Sequence, residues 1–190
     1  MTTATLTFDA PVRRAATVPV CAGRVLTLAG AVFGSANLVQ WGVVSGALGW
    51  HPAALAVTWP VAVALFFTVL FRLRRSGGEA ARRVAGWSRL AILSAVTIAL
   101  AFAGLSAATG DWSLMRWAAG SSLALYAVAW SVAGIQTARP NMGILAMLAL
   151  AGLAAMALRL GTPDQYLIQA ATLGLVALLP GLWLAFGRRL

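Results

Sequence analysis

Lysine is absent from this chain of 190 residues, histidine and cysteine occur once each, as His51 and Cys21, and only four residues carry a carboxylate. These shortages exclude much chemistry. Retinal attachment needs a lysine, haem ligation by paired histidines needs a second histidine, and an intramolecular disulfide needs a second cysteine. One His and one Cys, expected at opposite membrane faces, cannot assemble a metal cluster of His, Cys and carboxylate. Those carboxylates, Asp9, Glu79, Asp111 and Asp164, all lie outside the long apolar stretches. Proton relays and cation-coupled pumps rely on an intramembrane carboxylate or histidine. The serines inside the apolar stretches have no base beside them, as a nucleophile would need. The methionines are scattered and read as packing. The expectation is a chain with no catalytic residue, no cofactor and no metal.

What is present in abundance is apolar surface. Hydrophobic residues make up 61% of the chain and charged residues 9%, with a mean hydropathy of +0.88. Soluble globular domains do not have this composition. Six stretches, residues 25–49, 53–71, 90–109, 112–135, 142–158 and 167–186, approach or exceed the roughly 20 apolar residues that cross a bilayer as a helix. The reading is an all-α, polytopic membrane helical bundle of six transmembrane helices. Residues 1–24 are expected to form an N-terminal tail, 25–187 the bundle and 188–190 a short C-terminus. No apolar core of a signal peptide precedes the first stretch, which is expected to serve as its own insertion signal.

All 14 basic residues are arginine, and twelve of them fall at one set of helix ends. These are Arg13, Arg14, Arg24, Arg72, Arg74, Arg75, Arg82, Arg83, Arg89, Arg139, Arg188 and Arg189. Basic short loops stay on the cytoplasmic side. With an even number of spans, both termini are then expected to be cytoplasmic, in a cell inner membrane. The net charge of +10 is a topology signal of this kind, with anionic lipid headgroups as its partner and not nucleic acid.

The spans should pair into three consecutive α-hairpins with tight outer turns at residues 49–52, 110–112 and 161–164. Each begins with glycine to leave a helix and continues to Pro or Asp to start the next. Asp111 and Asp164 are the expected N-caps. Residues 72–89 read as the longest inner connection, with one or two helical turns over 79–84 lying on the membrane surface. Arg116 and Arg159 share the outer rim with the two aspartates, as ion pairs or as side chains reaching to lipid phosphate.

Within the spans, Gly30, Gly34, Gly42 and Gly46 recur at multiples of four and define one face for close helix packing. Ser94, Thr97, Ala101, Gly104 and Ala108 form a second small-residue stripe. Asn37 lies at the middle of the first expected span, with Gln40 one turn on, about 4.5 Å along the axis. With Tyr126 and Gln169 they are the candidate intramembrane polar site, either interhelical hydrogen bonding or the lining of a narrow uncharged cavity. Pro60 and Pro180 each interrupt a span, as ordinary kinks or as the broken helices of a transporter. Tryptophans near span ends fit interfacial belts.

Two functional classes follow. The first is a non-enzymatic accessory, assembly or regulatory subunit that binds lipid, another membrane protein or a second copy of itself. The alternative is a small transporter or channel for a neutral or weakly polar solute. A membrane enzyme ranks third.

Overall fold

The structure, a computed structural model, describes residues 17–76 and 78–188. It is helical throughout, and no strand occurs among the described residues. Among the described residues, six helical spans are long and apolar enough to cross a membrane. The chain is therefore a multi-pass membrane protein of the all-α class. The expected tail lies outside the described residues as far as residue 16.

The first helix, α1, is Val18–Val44, with Pro19 in its first turn. Pro fits there because its missing N–H would be unpaired anyway. The helix begins well before residue 25 and stops before residue 49, because Ser45 and Gly46 turn the chain, Gly46 at φ +81°. His51 then caps a short 3₁₀ turn, Pro52–Ala54, its Nδ1 accepting from the Ala53 N–H at 3.2 Å. This leads into α2, Leu55–Ser76.

The expected long connection over residues 72–89 does not exist. Helix α2 runs on to Ser76 and α3, Gly78–Thr109, starts almost at once. Gly78 makes the reversal at φ +68°, a conformation costly for any residue with a Cβ. Arginine is a good helix former, and Glu79 and Arg83 form an i,i+4 ion pair at 3.3 Å. Ala81, Val84 and Ala85 recur at helical spacing and bury against Cys21, Val25, Phe66 and Leu70. An apolar stripe inside the arginine-rich segment thus packs it onto α1 and α2 instead of laying it on the membrane surface.

At the far end of α3, Asp111 caps a 3₁₀ turn, Trp112–Met115, accepting from the Ser113 N–H at 2.9 Å. Helix α4 follows as Arg116–Thr137, then α5 as Pro140–Leu158. The sixth span is α6, Asp164–Leu173, a π-helical turn at Gly174–Leu178, and α7, Leu179–Ala185. Asp164 is the first residue of α6 and makes no capping bond, so only Asp111 of the two aspartates acts as a cap. The carboxylate of Asp164 still sits at the positive end of the helix dipole.

Pro180 does not break the sixth span. A proline cannot supply the N–H that the carbonyl four residues back would receive in a regular helix, and its ring crowds that carbonyl. Here that carbonyl belongs to Val176, inside the π-helical turn. The Trp130 indole Nε1 of α4 donates to it at 2.9 Å. Trp130 thus supplies a donor to the carbonyl that a regular α-helix would have bonded to residue 180.

Helix α1 is central, packed against α2, α3, α6 and α7, while α4 pairs closely with α5 and α5 with α6. One apolar cluster joins α1, α2 and α3 near the arginine-bearing end, and a second joins α4, α5 and the sixth span. The seam between α1 and the sixth span is tight. A Cβ on Gly30 would lie 2.5 Å from the Leu178 backbone nitrogen, and one on Gly23 would strike Ala185 and Gly181. A Cβ on Gly181 would in turn strike Thr27. By contrast α3 stands at the edge. Only 6% of its most apolar stretch is buried, against 50% for the sixth span.

Candidate functional site

The four residues expected to form a polar site do not converge. Because α1 is shifted towards the arginine-bearing end, Asn37 and Gln40 sit in its last two turns and not at its middle. Gln40 faces α2, where its Oε1 accepts from the Trp59 indole Nε1 at 2.7 Å. Asn37 is buried and turns back on its own helix, Nδ2 donating to the Phe33 carbonyl at 2.8 Å. Gln169 is buried on α6 and bridges to α4, Nε2 donating to the Ala119 carbonyl at 2.8 Å and meeting Ser122 Oγ at 3.1 Å. Tyr126, half-buried, packs on the cluster of Ala127, Trp130 and Met142. No hydrogen bond links any two of the four among the described residues.

Four buried polar atoms nevertheless lack a partner among the described residues. They are Asn37 Oδ1, Trp41 Nε1, Ser106 Oγ and Gln169 Oε1. A buried donor or acceptor left unpaired costs on the order of 1–3 kcal/mol, a cost that other packing in the bundle has to offset. Sequence reasoning missed Trp41 and Ser106. Trp41 is four residues beyond Asn37, hence on the same face of α1. That spacing could have found it. Ser106 had no such signal, because it lies off the small-residue stripe of α3.

The stripe itself faces away from the bundle. Thr97, Ala101, Gly104 and Ala108 are exposed, and a Cβ on Gly104 would meet nothing within 4 Å. The glycine face of α1 is also rearranged. Gly30 packs on the sixth span as expected, and Gly34 approaches Ala170 with room to spare, a Cβ there lying 4.0 Å from its carbonyl oxygen. Gly42 is covered by Leu48 of its own turn, and Gly46 lies beyond the helix with open space around it. Those last two do not hold a second helix.

At the rim opposite the arginine-rich end, Arg116 lays its guanidinium over Gly161 in the turn between α5 and α6. Neither it nor Arg159 makes an ion pair with Asp111 or Asp164 among the described residues. The side-chain hydrogen bond with Ser113, then the Ser113 N–H, hold the Asp111 carboxyl below the usual carboxylate range, with a smaller contribution from the Arg116 charge. At the other end, the tips of α2 and α3 enclose an open cleft of about 520 Å³ lined by Phe71, Arg74, Arg75, Gly78 and Arg82. No group of three or more His, Cys, Asp and Glu residues comes together among the described residues. No protein-family model, curated protein or solved structure matches this chain.

Proposed function

We propose that the chain is a non-enzymatic multi-pass protein of the cell inner membrane, with both termini cytoplasmic, that works as an accessory, assembly or regulatory subunit. The observation that carries this reading is the outward small-residue stripe of α3. Thr97, Ala101, Gly104 and Ala108 form a surface on which a further helix could approach closely, since small residues let backbones come together in lipid. The candidate polar groups support it too. Gln40 and Gln169 are engaged in links between helices, the ordinary structural use of amides in a bundle.

A photo-crosslinker at position 104, activated in native membranes, tests this reading. A defined protein adduct from position 104, and lipid adducts only from the exposed Ile135 of α4, is the expected outcome. Lipid adducts alone from both positions would refute it. The mass of the adduct separates a second copy of this chain from another membrane protein.

Transport of a neutral, weakly polar solute is the second reading, favoured by the four unpartnered atoms in the interior. Solute flux into proteoliposomes that Asn37→Leu and Gln169→Leu together abolish, with folding retained, would establish it in place of the first.

A further inference from the structure

The cleft at the arginine-rich end is built by local geometry. Phe71, Arg74 and Arg75 stand at i, i+3 and i+4 on α2, and Gly78 and Arg82 at i and i+4 on α3, spacings that share a helix face. The turn at Gly78 brings the two faces against each other. Three exposed guanidiniums therefore border one opening, where the negative end of the α2 dipole meets the positive end of the α3 dipole, so that the site's charge is that of the arginines. Such a group of like charges calls for an anion. The described acids are Glu79, Asp111 and Asp164. Two of these are at the opposite end, and Glu79 is held by Arg83 at 3.3 Å. No acid among the described residues is left to balance the cleft.

We infer that this cleft is a binding site for the phosphate headgroup of an anionic phospholipid, held by Arg74, Arg75 and Arg82 with Phe71 at its floor. This rests on the placement of the chain across a bilayer, not on its role as a subunit. Guanidinium forks match phosphate oxygens two at a time. Depth decides between a lipid and a free phosphate. Phe71, 53% exposed, is the last residue of the apolar run of α2. Arg75 is one turn further, about 6 Å along the axis. The headgroup layer on each side of the hydrocarbon is about 5–7 Å thick. The arginines thus stand at phosphate depth while the ring stands at the acyl boundary. A ligand with an anionic head and an apolar tail meets both.

The test uses the full-length protein, delipidated in detergent, with phosphatidylglycerol or phosphatidylcholine added back and bound lipid read by native mass spectrometry. The wild type should retain phosphatidylglycerol over phosphatidylcholine by roughly tenfold or more, and R74Q/R75Q/R82Q should lose that preference. The charge-matched R24Q/R89Q/R188Q variant should keep it. All six positions are exposed, and thermal unfolding checks that each variant is folded. R74K/R75K/R82K keeps the charge without the fork and should bind more weakly than wild type. Equal loss in the two glutamine triples would mean diffuse surface attraction and would overturn the site. So would a lysine variant that binds as well as wild type. If inorganic phosphate raises the unfolding temperature of wild type but not of R74Q/R75Q/R82Q, and phosphatidylglycerol does not, the ligand is a free phosphate and the lipid assignment fails.

Discussion

Replacing Trp130 by Phe should reveal how much of the stability of the bundle depends on one carbonyl. Trp130 is 6% exposed and Val176 fully buried, and the indole Nε1 donates to the Val176 carbonyl at 2.9 Å. Hydrogen bonds between membrane helices average about 0.6 kcal/mol, because the separated helices find other partners for the same groups. That compensation is missing here. In the separated sixth helix Pro180 still has no N–H to offer the Val176 carbonyl, so the bond should contribute near the upper end, about 1.5–2 kcal/mol. Pro180→Ala supplies the missing donor, and the cost of Trp130→Phe in that background should fall towards the roughly 0.6 kcal/mol mean. The space lost in going from Trp to Phe is common to both backgrounds and cancels in the double-mutant cycle. Unfolding of the four proteins in a mixed-detergent titration, followed by circular dichroism, measures the coupling, expected at about 1 kcal/mol. An equal cost of Trp130→Phe in the wild type and in the Pro180→Ala background would show that the indole does not replace the bond that the proline removes.

The α1 glycines should respond with opposite signs. Gly30→Ala meets the Leu178 backbone and should lose about 1–2 kcal/mol, overpacking outweighing the gain in helix propensity. Gly34→Ala has room and should be neutral or gain up to about 1 kcal/mol; thermal unfolding in detergent separates the two. Trp59→Phe should cost about 0.6 kcal/mol through the loss of its bond to Gln40. Asn37→Leu, which removes an unpartnered Oδ1, should cost nothing in the same assay. Cysteines placed at positions 50 and 162, in a Cys21→Ala background, should react with an impermeant reagent from outside the cell and one at 78 only after lysis, as the arginine distribution requires. Labelling of 162 from the cytoplasm would overturn that topology. The depressed Asp111 carboxyl should keep its cap on the Ser113 N–H while the pH is above the ordinary Asp value of about 3.9 and lose it only as the pH falls through a lower midpoint. The amide resonance of Ser113 reads that midpoint, and one at or above the ordinary value contradicts the assignment.

The number of spans and the turns near residues 110–112 and 161–164 were legible in the residues, because bilayer thickness sets a length that only a long apolar run satisfies. Glycine followed by Pro or Asp marks a turn by local backbone chemistry alone, which is why Asp111 was found as a cap. The basic stretch over 72–89 misled because charge suggests solvent. Its Ala81, Val84 and Ala85 stripe is short, and only the presence of α1 and α2 beside it makes that stripe worth burying.

Which face of each helix points inward was decided by the tertiary structure. Membrane helices are apolar all round, so no contrast between a wet and a dry side identifies the core face, and small residues can serve a neighbour in the same chain or one outside it. The four-residue repeat from Gly30 to Gly46 therefore looked uniform. In the fold, Gly30 and Gly23 meet the sixth span and Gly181 of that span meets α1, while Gly42 meets its own turn and Gly46 none. The same indeterminacy turned the α3 stripe outward and left Ser106 inside. An amide in the chain announces that a hydrogen bond will be made. Whether it is made to Trp59 across the bundle, as by Gln40, or to its own helix, as by Asn37, depends on which neighbours the packing supplies.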